Sequence, residues 1–350
     1  MGNICTSAVK LVLGRRLSRH LLYRRYYYHA LKRSGFPNVQ AKGEKAFKAR
    51  WHKLSPYVDP YCYRLFSHYC GPTIDIIPED IMHDIIEARL NPPSLWEVYE
   101  DKNMFSVIVG EDNVPITVAS RVAGGPIVQK LPLAIQQVPL FLKPSIASSC
   151  GERIVRFERV GEQYLSAEGD VLTEEYLLAY GDDWILQQAV IQHPDMARFS
   201  VSSVNTMRLA VYRSVLDLQS HITCGIFRMG RNGAVVDNAV AGGLYVGIDV
   251  QRGCIRGDAF DIRGNHSPFG EYQLPCWDKT VEFVYYVASR IPHHHLIAMD
   301  IAITADNRPL LIEYNIGGFS APVYNYTDQT VFGQYTEEVI DYCLQQPLRG

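Results

Sequence analysis

Three features are missing from this 350-residue sequence. No apolar run approaches the ~18 residues that cross a bilayer as a helix, so we do not expect an integral membrane protein. The eight cysteines form no CxxC pair and show no zinc-binding spacing, which favours reduced, mostly buried thiols in a reducing compartment. The stretch from Val9 to Leu22 is interrupted by Lys10, Arg16 and Arg19, which is not typical of a secretory signal peptide. We therefore expect a cytoplasmic protein.

Acidic residues are almost absent from positions 1–53. These positions hold thirteen Lys or Arg against one acid, Glu44, a net charge of +12, whereas the other 297 positions hold 21 basic and 36 acidic residues, a net charge of −15. Leu13, Leu17 and Leu21 recur at four-residue spacing, which predicts a basic amphipathic helix. Its partner is open between an anionic membrane surface or membrane-bound glycan machinery and the protein's own acidic body. We do not expect nucleic acid, because no nucleic-acid motif accompanies the charge.

The first six residues, Met1 to Thr6, fit the pattern for N-myristoylation of Gly2, with Cys5 available for palmitoylation. The pattern is short, so acylation of Gly2 stays open. Together with the basic helix, it leaves open a peripheral position at the inner face of the membrane as well as a purely cytoplasmic one.

The rest of the chain carries many short strand signals. We predict strands at 140–143, 154–160, 184–190, 207–212, 221–229, 244–249, 296–304 and 309–314, with helices at 81–90, 279–290 and 335–344. Strands predominate over long helices, so an α+β fold is favoured over a doubly wound sheet. Residues 55–93 suggest a small mixed region that ends in a linker at Asn91-Pro92-Pro93. The His293–His295 tract is interpreted as a solvated loop rather than a metal site.

The strongest chemical signal is a predicted hairpin near the end of the chain. Asp300 lies on an apolar strand, and Glu313 and Asn315 lie on the next strand after a tight turn. Side chains two positions apart on a strand share a face, so Glu313 and Asn315 point the same way, with Asp300 on the neighbouring strand. Two carboxylates and an amide oxygen suit Mg²⁺. The alternative is a strand pair whose acids simply end at the solvent edge.

The hairpin resembles the metal-binding hairpin of the ATP-grasp superfamily, and the wider pattern resembles its sugar-transfer-associated branch. The matching motifs run from about Tyr57 to Tyr342. They are Asp101–Asn103, Phe141–Pro144, Ser203–Arg208, Val236–Gly243, His266–Gly270, and the hairpin itself at Asp300–Ile303 and Leu311–Asn315. Each is weak alone, but six motifs in this order make chance agreement improbable.

This resemblance implies two lobes that clamp ATP. They would be an N-lobe at 101–191 and a C-lobe at 192–350, after a basic helical and mixed accessory region at 1–100. The resemblance implies that Lys102 and Lys143 bind phosphate, that a small-residue loop at Ser149 and Gly151 covers the phosphates, and that Arg208 contacts the transferred phosphate. It implies an adenine-binding hinge at Gln187, Gln188 and Val190 and a close turn at Asn238. It also implies that Asp300, Glu313 and Asn315 bind Mg²⁺. Arg208 and Lys143 would be the catalytic residues.

By the same resemblance, the expected activity is ATP-dependent ligation of a carboxylate to an amine through an acyl phosphate. The substrates would be small molecules or glycans, and the product a modified sugar or polysaccharide precursor. Two alternatives remain open: an ATP-binding regulatory partner of a glycosyltransferase or polysaccharide-export complex, and a phosphotransferase that acts on a hydroxyl group. The sequence determines neither substrate, nor the oligomeric state.

Overall fold

The computed structural model describes residues 14–133, 136–146, 153–231 and 242–346. The predicted site residues Ser149, Gly151 and Asn238 lie outside these ranges, as does the acylation motif at Met1–Thr6. Among the described helices, none combines the length and the apolar content that a membrane crossing requires. The six cysteines in these ranges are free thiols, and four of them are buried, as the sequence predicted.

Helices occur in the N-terminal quarter and between the strands of an otherwise antiparallel β-structure. The helices are α1 Arg15–Ser34, α2 Glu44–Trp51, α3 Tyr61–Phe66, α4 Glu79–Ile81, α5 Ala88–Leu90, α6 Trp96–Glu100, α7 Lys102–Val109, α8 Glu174–Tyr180, α9 Pro194–Ala197, α10 Trp277–Ser289, α11 Pro322–Tyr326 and α12 Thr336–Gln345, with a π-helical turn at Met82–Glu87 and short 3₁₀ turns at Pro93–Leu95, Glu111–Asn113 and Gly333–Tyr335. The strands are β1 Thr117–Arg121, β2 Val128–Gln129, β3 Leu140–Pro144, β4 Val155–Val160, β5 Gln163–Ser166, β6 Trp184–Gln188, β7 Thr206–Arg213, β8 Ser220–Met229, β9 Leu244–Asp249, β10 Cys254–Phe260, β11 His266–Pro268, β12 Tyr272–Gln273, β13 Leu296–Ile303 and β14 Pro309–Asn315.

Two sheets organise these elements. The first has six strands in the order β2-β1-β6-β3-β4-β5 and buries its own core around Leu140, Phe157 and Trp184. The second has eight strands in the order β11-β10-β9-β8-β7-β13-β14, with β12 paired to β10. Residues 189–193 join them, and the N–H of His193 donates to the carbonyl of Ile303 in β13. The predicted α+β class and the two-lobed arrangement of strands are confirmed.

The eight-stranded sheet is covered on both faces, because side chains alternate along each strand. In β13, Ile297 and Met299 point into a core shared with α10, whereas Leu296 and Ala298 point into a core shared with the N-terminal helices. Tyr27 of α1 is buried in the core that contains Leu296 and Ala298. The basic segment therefore packs against the protein's own body through its inner face, which is one of the arrangements that the sequence left open.

Two expectations about local structure are wrong. Residues 55–93 contain helices rather than a mixed region, and the predicted linker residue Asn91 is fully buried. The tract at residues 293–295 is not a solvated loop throughout. His294 is fully buried against the Tyr99 ring, at 5.0 Å between centroids, and its burial lowers its pKa to about 4.

The cause of these errors is the same in both segments. The chain after Ile291 turns directly into β13, which lies between β7 and β14, and the side chain of His294, two positions before that strand, is buried beneath neighbouring elements. Asn91 faces this same strand from the N-terminal helices. Its amide nitrogen donates to the carbonyls of Leu296 and Ile316, both at 2.6 Å, and its oxygen accepts the N–H groups of His295 and Leu296.

Replacing Asn91 with alanine should destabilise the protein strongly. The substitution leaves three buried main-chain groups without their partner, the N–H and carbonyl of Leu296 and the carbonyl of Ile316, whereas the N–H of His295 also donates to the carbonyl of Leu90. Each buried group costs about 1–3 kcal/mol when it finds no replacement. We expect a loss of at least about 2 kcal/mol, measured as a shift of the urea unfolding midpoint. Asn38→Ala is the matched control, because the Asn38 side chain bonds Arg64 at an exposed site. Equal midpoints for the two variants would contradict the buried role of Asn91.

Candidate functional site

A buried ion triplet lies at the centre of the eight-stranded sheet. Asp300 in β13 pairs in register with Arg208 in β7. Arg208 donates to both carboxylate oxygens of Asp300, from Nε to Oδ1 and from Nη2 to Oδ2, each at 2.7 Å. Arg228 in β8 donates from Nη1 to Oδ2 at 2.8 Å. Only 2% of Asp300 is exposed, and the two guanidinium groups offset the desolvation of the carboxylate.

The charges in this triplet stabilise each other. Burial alone would raise the pKa of Asp300, but Arg208 and Arg228 reverse that effect and hold the pKa below its usual value. Burial would lower the pKa of Arg208, and Asp300 raises it instead. All three groups are therefore ionised at neutral pH.

Glu313 and Asn315 lie beside the triplet on β14, as the hairpin predicted. Glu313 is the register partner of Asp300, and Asn315 follows two positions later on the same face. Glu313 is half-buried and makes only long contacts, at 3.8 Å from Oε1 to Arg208 Nη2 and at 3.7 Å from Oε2 to Lys102 Nζ. Its carboxylate thus has more freedom to accept a ligand than that of Asp300.

Two lysines approach this face from a different part of the chain. The backbone N–H of Lys102, in the first turn of α7, donates to the carbonyl of Ser145 just beyond β3, which carries Lys143. Burial and the nearby charge of Lys102 lower the pKa of Lys143 to about 8, whereas Glu313 acts in the opposite direction. Each lysine therefore lies within electrostatic reach of the other and of Glu313. The structure places near one another six residues that the sequence analysis assigned to one site, and their roles stay predictions: Lys102, Lys143, Arg208, Asp300, Glu313 and Asn315.

Side chains from the N-terminal helices hold the chain as it leaves β14. Glu100 accepts the N–H groups of Ile316 and Gly317 at 2.9 and 3.1 Å, and Glu87 accepts the N–H of Phe319 at 2.6 Å. A Cβ atom at Gly317 would stand 2.9 Å from the ring of Trp96, so only glycine fits there. These contacts fix the segment that directly follows Asn315.

The predicted hinge lies where β6 leaves the first sheet. The side chain of Gln187 is buried and donates to the carbonyl of Pro115 at 3.1 Å, and Gln188 donates through its backbone N–H to Ile116. The strand ends at Gln188, and no hydrogen bond joins the N–H of Val190 to any other described residue. The geometry provides one free main-chain donor at the position assigned to adenine recognition. The adenine-binding role of these residues stays a prediction.

Sequence reasoning missed three members of the site. Arg228 is one, and a charged residue inside the apolar stretch Ile226–Met229 was the available signal, since a buried charge requires a partner. Glu100 is the second and had no local signal. Tyr324 in α11 is the third: it is 1% exposed, its hydroxyl has no hydrogen-bond partner among the described residues, and Arg208, Asp300 and Arg228 all influence its pKa, which burial raises.

Comparison with known proteins identifies the fold around this site. A profile of sugar-transfer associated ATP-grasp proteins matches residues 82–325, well over half of the 350 residues. The chain belongs to the sugar-transfer associated ATP-grasp family. No curated protein gives a significant match to its sequence.

Solved structures of other ATP-grasp enzymes are similar at low identity. N5-carboxyaminoimidazole ribonucleotide synthetase in complex with ADP is 13% identical, with a TM-score of 0.43, over 72% of this chain and 53% of that chain. An L-amino acid ligase from Bacillus licheniformis is 13% identical, with a TM-score of 0.40, over 69% and 48%. D-cycloserine synthetase is 13% identical, with a TM-score of 0.43, over 73% of each chain. The ATP-grasp chain described here thus spans about half the length of the first two proteins.

The donor set on β13 and β14 fits Mg²⁺, which ATP-grasp enzymes use with ATP in general. Glu313 and Asn315 supply a carboxylate and an amide oxygen on one face, and the buried amide nitrogen of Asn315 has no hydrogen-bond partner among the described residues. Both oxygens of Asp300 already accept from arginines. Within the described ranges, no three His, Cys, Asp or Glu side chains converge on a point, so Asn315 and ligand oxygens are needed to complete the coordination.

We expect the nucleotide affinity of this ATP-grasp protein to fall as the pH rises through about 8, the pKa of Lys143. Below that pH Lys143 carries a positive charge that attracts phosphate, and above it the charge is lost. The loss should weaken Mg-ADP binding by up to about tenfold, on the order of 1.4 kcal/mol. Isothermal titration calorimetry across this pH range measures the effect.

Lys143→Met should bind weakly at every pH and show little pH dependence. Lys102→Met should move the fall to higher pH, because the charge of Lys102 is one of the causes that lower the pKa of Lys143. Lys130→Met is the control, since Lys130 is an exposed lysine of the six-stranded lobe. An unchanged pH profile in Lys143→Met would show that another group is responsible.

Proposed function

We propose that this protein is a cytoplasmic, ATP-dependent ligase that joins a carboxylate to an amine through an acyl phosphate. The convergence of cations on one strand face carries the proposal. Lys102, Lys143, Arg208 and Arg228 surround the carboxylates of Asp300 and Glu313, with Glu100 nearby. Four positive charges against three negative ones leave an excess that suits a polyphosphate.

In the first step, an oxygen of the substrate carboxylate attacks the γ-phosphorus of ATP. The bond from that phosphorus to the bridging oxygen breaks, and ADP leaves with the electron pair. In the second step, the amine nitrogen attacks the acyl carbon, inorganic phosphate leaves, and the nitrogen loses a proton. The same set of cations serves both steps, because negative charge develops on phosphate oxygens in the first step, and on the acyl oxygen and the departing phosphate in the second.

Each residue has a distinct task in this scheme. Lys102 and Lys143 hold phosphate oxygens as compact point charges. Arg208, fixed by its two bonds to Asp300, keeps a planar guanidinium oriented for the transferred phosphoryl group. Glu313 and Asn315, with Asp300, would hold Mg²⁺, which when bound neutralises charge on the phosphates. The N–H of Val190 and the main chain at Gln187 would receive the adenine.

The family description supports a sugar or a polysaccharide precursor as one substrate.

Two other functions use the same nucleotide site. A regulatory partner of a glycosyltransferase or export complex would bind ATP without turnover, and a phosphotransferase would transfer phosphate to a hydroxyl group. Screening pairs of carboxylates and amines for ADP release, followed by product mass, separates these possibilities. The ligase requires both partners for ADP release, whereas the phosphotransferase requires only an alcohol.

Glu313→Gln should reduce coupled ADP release by roughly 100-fold or more while leaving the fold intact. The substitution removes a negative charge from the proposed magnesium site but keeps the shape of a half-buried side chain that makes only long contacts. Steady-state ADP release and the thermal unfolding midpoint are the two measurements. Glu271→Gln is the control, because Glu271 pairs with Arg252 on the surface. Normal turnover in Glu313→Gln would rule out this metal assignment.

The outer face of α1 supports a peripheral position at an anionic membrane. Leu22 is 64% exposed and Tyr26 is 41% exposed, and they lie among Arg25, Lys32 and Arg33 along a shallow surface groove. Exposed apolar and aromatic side chains among cations are typical of a helix that lies on anionic lipid. Truncating positions 1–53 is an unsuitable test, because the buried residues of α1 and α2 belong to the main core.

Reversing three charges on this face should abolish lipid binding. Each basic residue near an anionic surface contributes about 1 kcal/mol, so Arg25→Glu, Lys32→Glu and Arg33→Glu together should weaken partition by about 100-fold or more. Co-sedimentation with phosphatidylserine and phosphatidylcholine vesicles measures it. The control triple variant, Arg252→Glu, Arg256→Glu and Arg308→Glu, makes the same charge change at exposed arginines of the C-lobe. Equal partition of both variants would refute a specific docking face.

A further inference from the structure

A small cavity lies between α1 and the eight-stranded sheet. Its volume is ≈ 140 Å³. Its walls include the tyrosine rings at positions 23, 26, 245 and 326, the Glu79 carboxylate and the Ser320 side chain, with aliphatic side chains between them. At ~30 Å³ per water molecule, this space suits one small ring rather than a chain of rings.

The cavity adjoins the charged site through a single pair of strands. Tyr245 in β9 is the register partner of Arg228 in β8. Side chains of directly opposed residues share a face and stand about 5 Å apart at Cβ. Because Arg228 contacts Asp300, Tyr245 lies one strand beyond the ion triplet on the same face. A ligand in the cavity would therefore lie on the same side of the sheet as the proposed phosphoryl-transfer site.

One wall of the cavity carries an unsatisfied polar group. Tyr245 is 1% exposed, and its hydroxyl has no hydrogen-bond partner among the described residues. A buried hydroxyl group without a hydrogen-bond partner is costly, so we interpret it as the sign of a partner that is not part of the chain itself. The Ser320 side chain is half-buried in the same lining and makes no side-chain hydrogen bond to the rest of the described chain. The cavity thus offers two hydroxyl groups to a ligand.

The charges around the cavity restrict the ligand further. Its described lining contains no Lys, Arg or His, and the one acid, Glu79, disfavours a carboxylate or phosphate. Glu79 already accepts the hydroxyl of Tyr27 and lies 3.6 Å from His83 Nε2, so it is not a free counter-ion for an ammonium group. A neutral ring with hydroxyl groups remains, since its apolar faces pack on tyrosines and its hydroxyls pair with Tyr245 and Ser320.

We propose that this cavity is the subsite for one neutral monosaccharide unit of the substrate, whose reacting group extends towards Arg208 and Arg228. This inference rests on the proposed function for its reacting group. It assigns the sugar to specific residues, which the family description does not do.

Ligand-observed NMR on the full chain with Mg-ADP tests the subsite. The neutral probes are the methyl glycosides of glucose, galactose, rhamnose and N-acetylglucosamine, and the charged probes are glucosamine and glucuronate. At least one neutral probe should bind the wild type. Tyr245→Phe should weaken that binding by about fivefold, the effect of one hydrogen bond, and Ser320→Trp, which fills the cavity, should abolish it. Tyr285→Phe is the control, because Tyr285 is exposed on α10.

Two further readouts keep the test decisive. Removing an unpaired hydroxyl costs the fold nothing, so Tyr245→Phe should unfold at the wild-type temperature or above it. Mg-ADP binding in the same samples reports on the proposed nucleotide site separately. If Mg-ADP binds and no neutral sugar does, the subsite is wrong and the nucleotide site stands. The same conclusion follows if a sugar binds Tyr245→Phe and Ser320→Trp as tightly as it binds the wild type. If only glucosamine binds, the cavity is an amine site. Failure of Mg-ADP itself would reject the proposed function.

Discussion

The pairing of one buried carboxylate with two arginines is the constraint on which the site depends. Asp300 is enclosed by strands on both sides, and an ionised carboxylate in such a place is stable only with its partners in place. Its bonds to Arg208 and Arg228 tie together β7, β8 and β13. The same bonds orient Arg208 and leave Glu313 the less engaged acid. Losing Asp300 would leave two largely buried guanidinium groups without their shared counter-ion, so the triplet has a structural role.

Two lysines outside this triplet, Lys102 and Lys143, lie near the acids of the site. Burial disfavours the charged form of Lys143, and the nearby charge of Lys102 adds to this effect. Glu313 approaches Lys102 only to 3.7 Å. An anionic ligand relieves this repulsion, and its binding therefore favours protonated Lys143. This coupling gives one physical reason for the lysine pair, the arginine and the acids to occupy the same face.

The N-terminal helices take part in the site rather than standing beside it. Glu87, Asn91 and Glu100 bind the main chain that follows Asn315, and the buried residues of α1 share a core with β13. Tyr23 and Tyr26 of α1 also line the cavity between α1 and the eight-stranded sheet, and Tyr26 lines the adjacent exposed basic groove as well. The proposed lipid contact and the proposed sugar subsite therefore belong to one helix, which suits a substrate that is presented at a membrane.

The sequence by itself determined the local geometry of the hairpin. Strand periodicity places Glu313 and Asn315 on one face, and a short turn brings Asp300 opposite Glu313, because both features depend only on neighbouring residues. It also gave the bounds of β9 and came close for β7, β8, β13 and β14. Tertiary structure alone decided that Arg228 and Glu100 join the site, since they come from a strand and a helix that are distant from the hairpin in sequence. Tertiary structure likewise buried Asn91 and His294, although the local sequence predicted a linker at Asn91 and a solvated loop at His294. Whether a polar residue contacts solvent depends on which other elements pack over it.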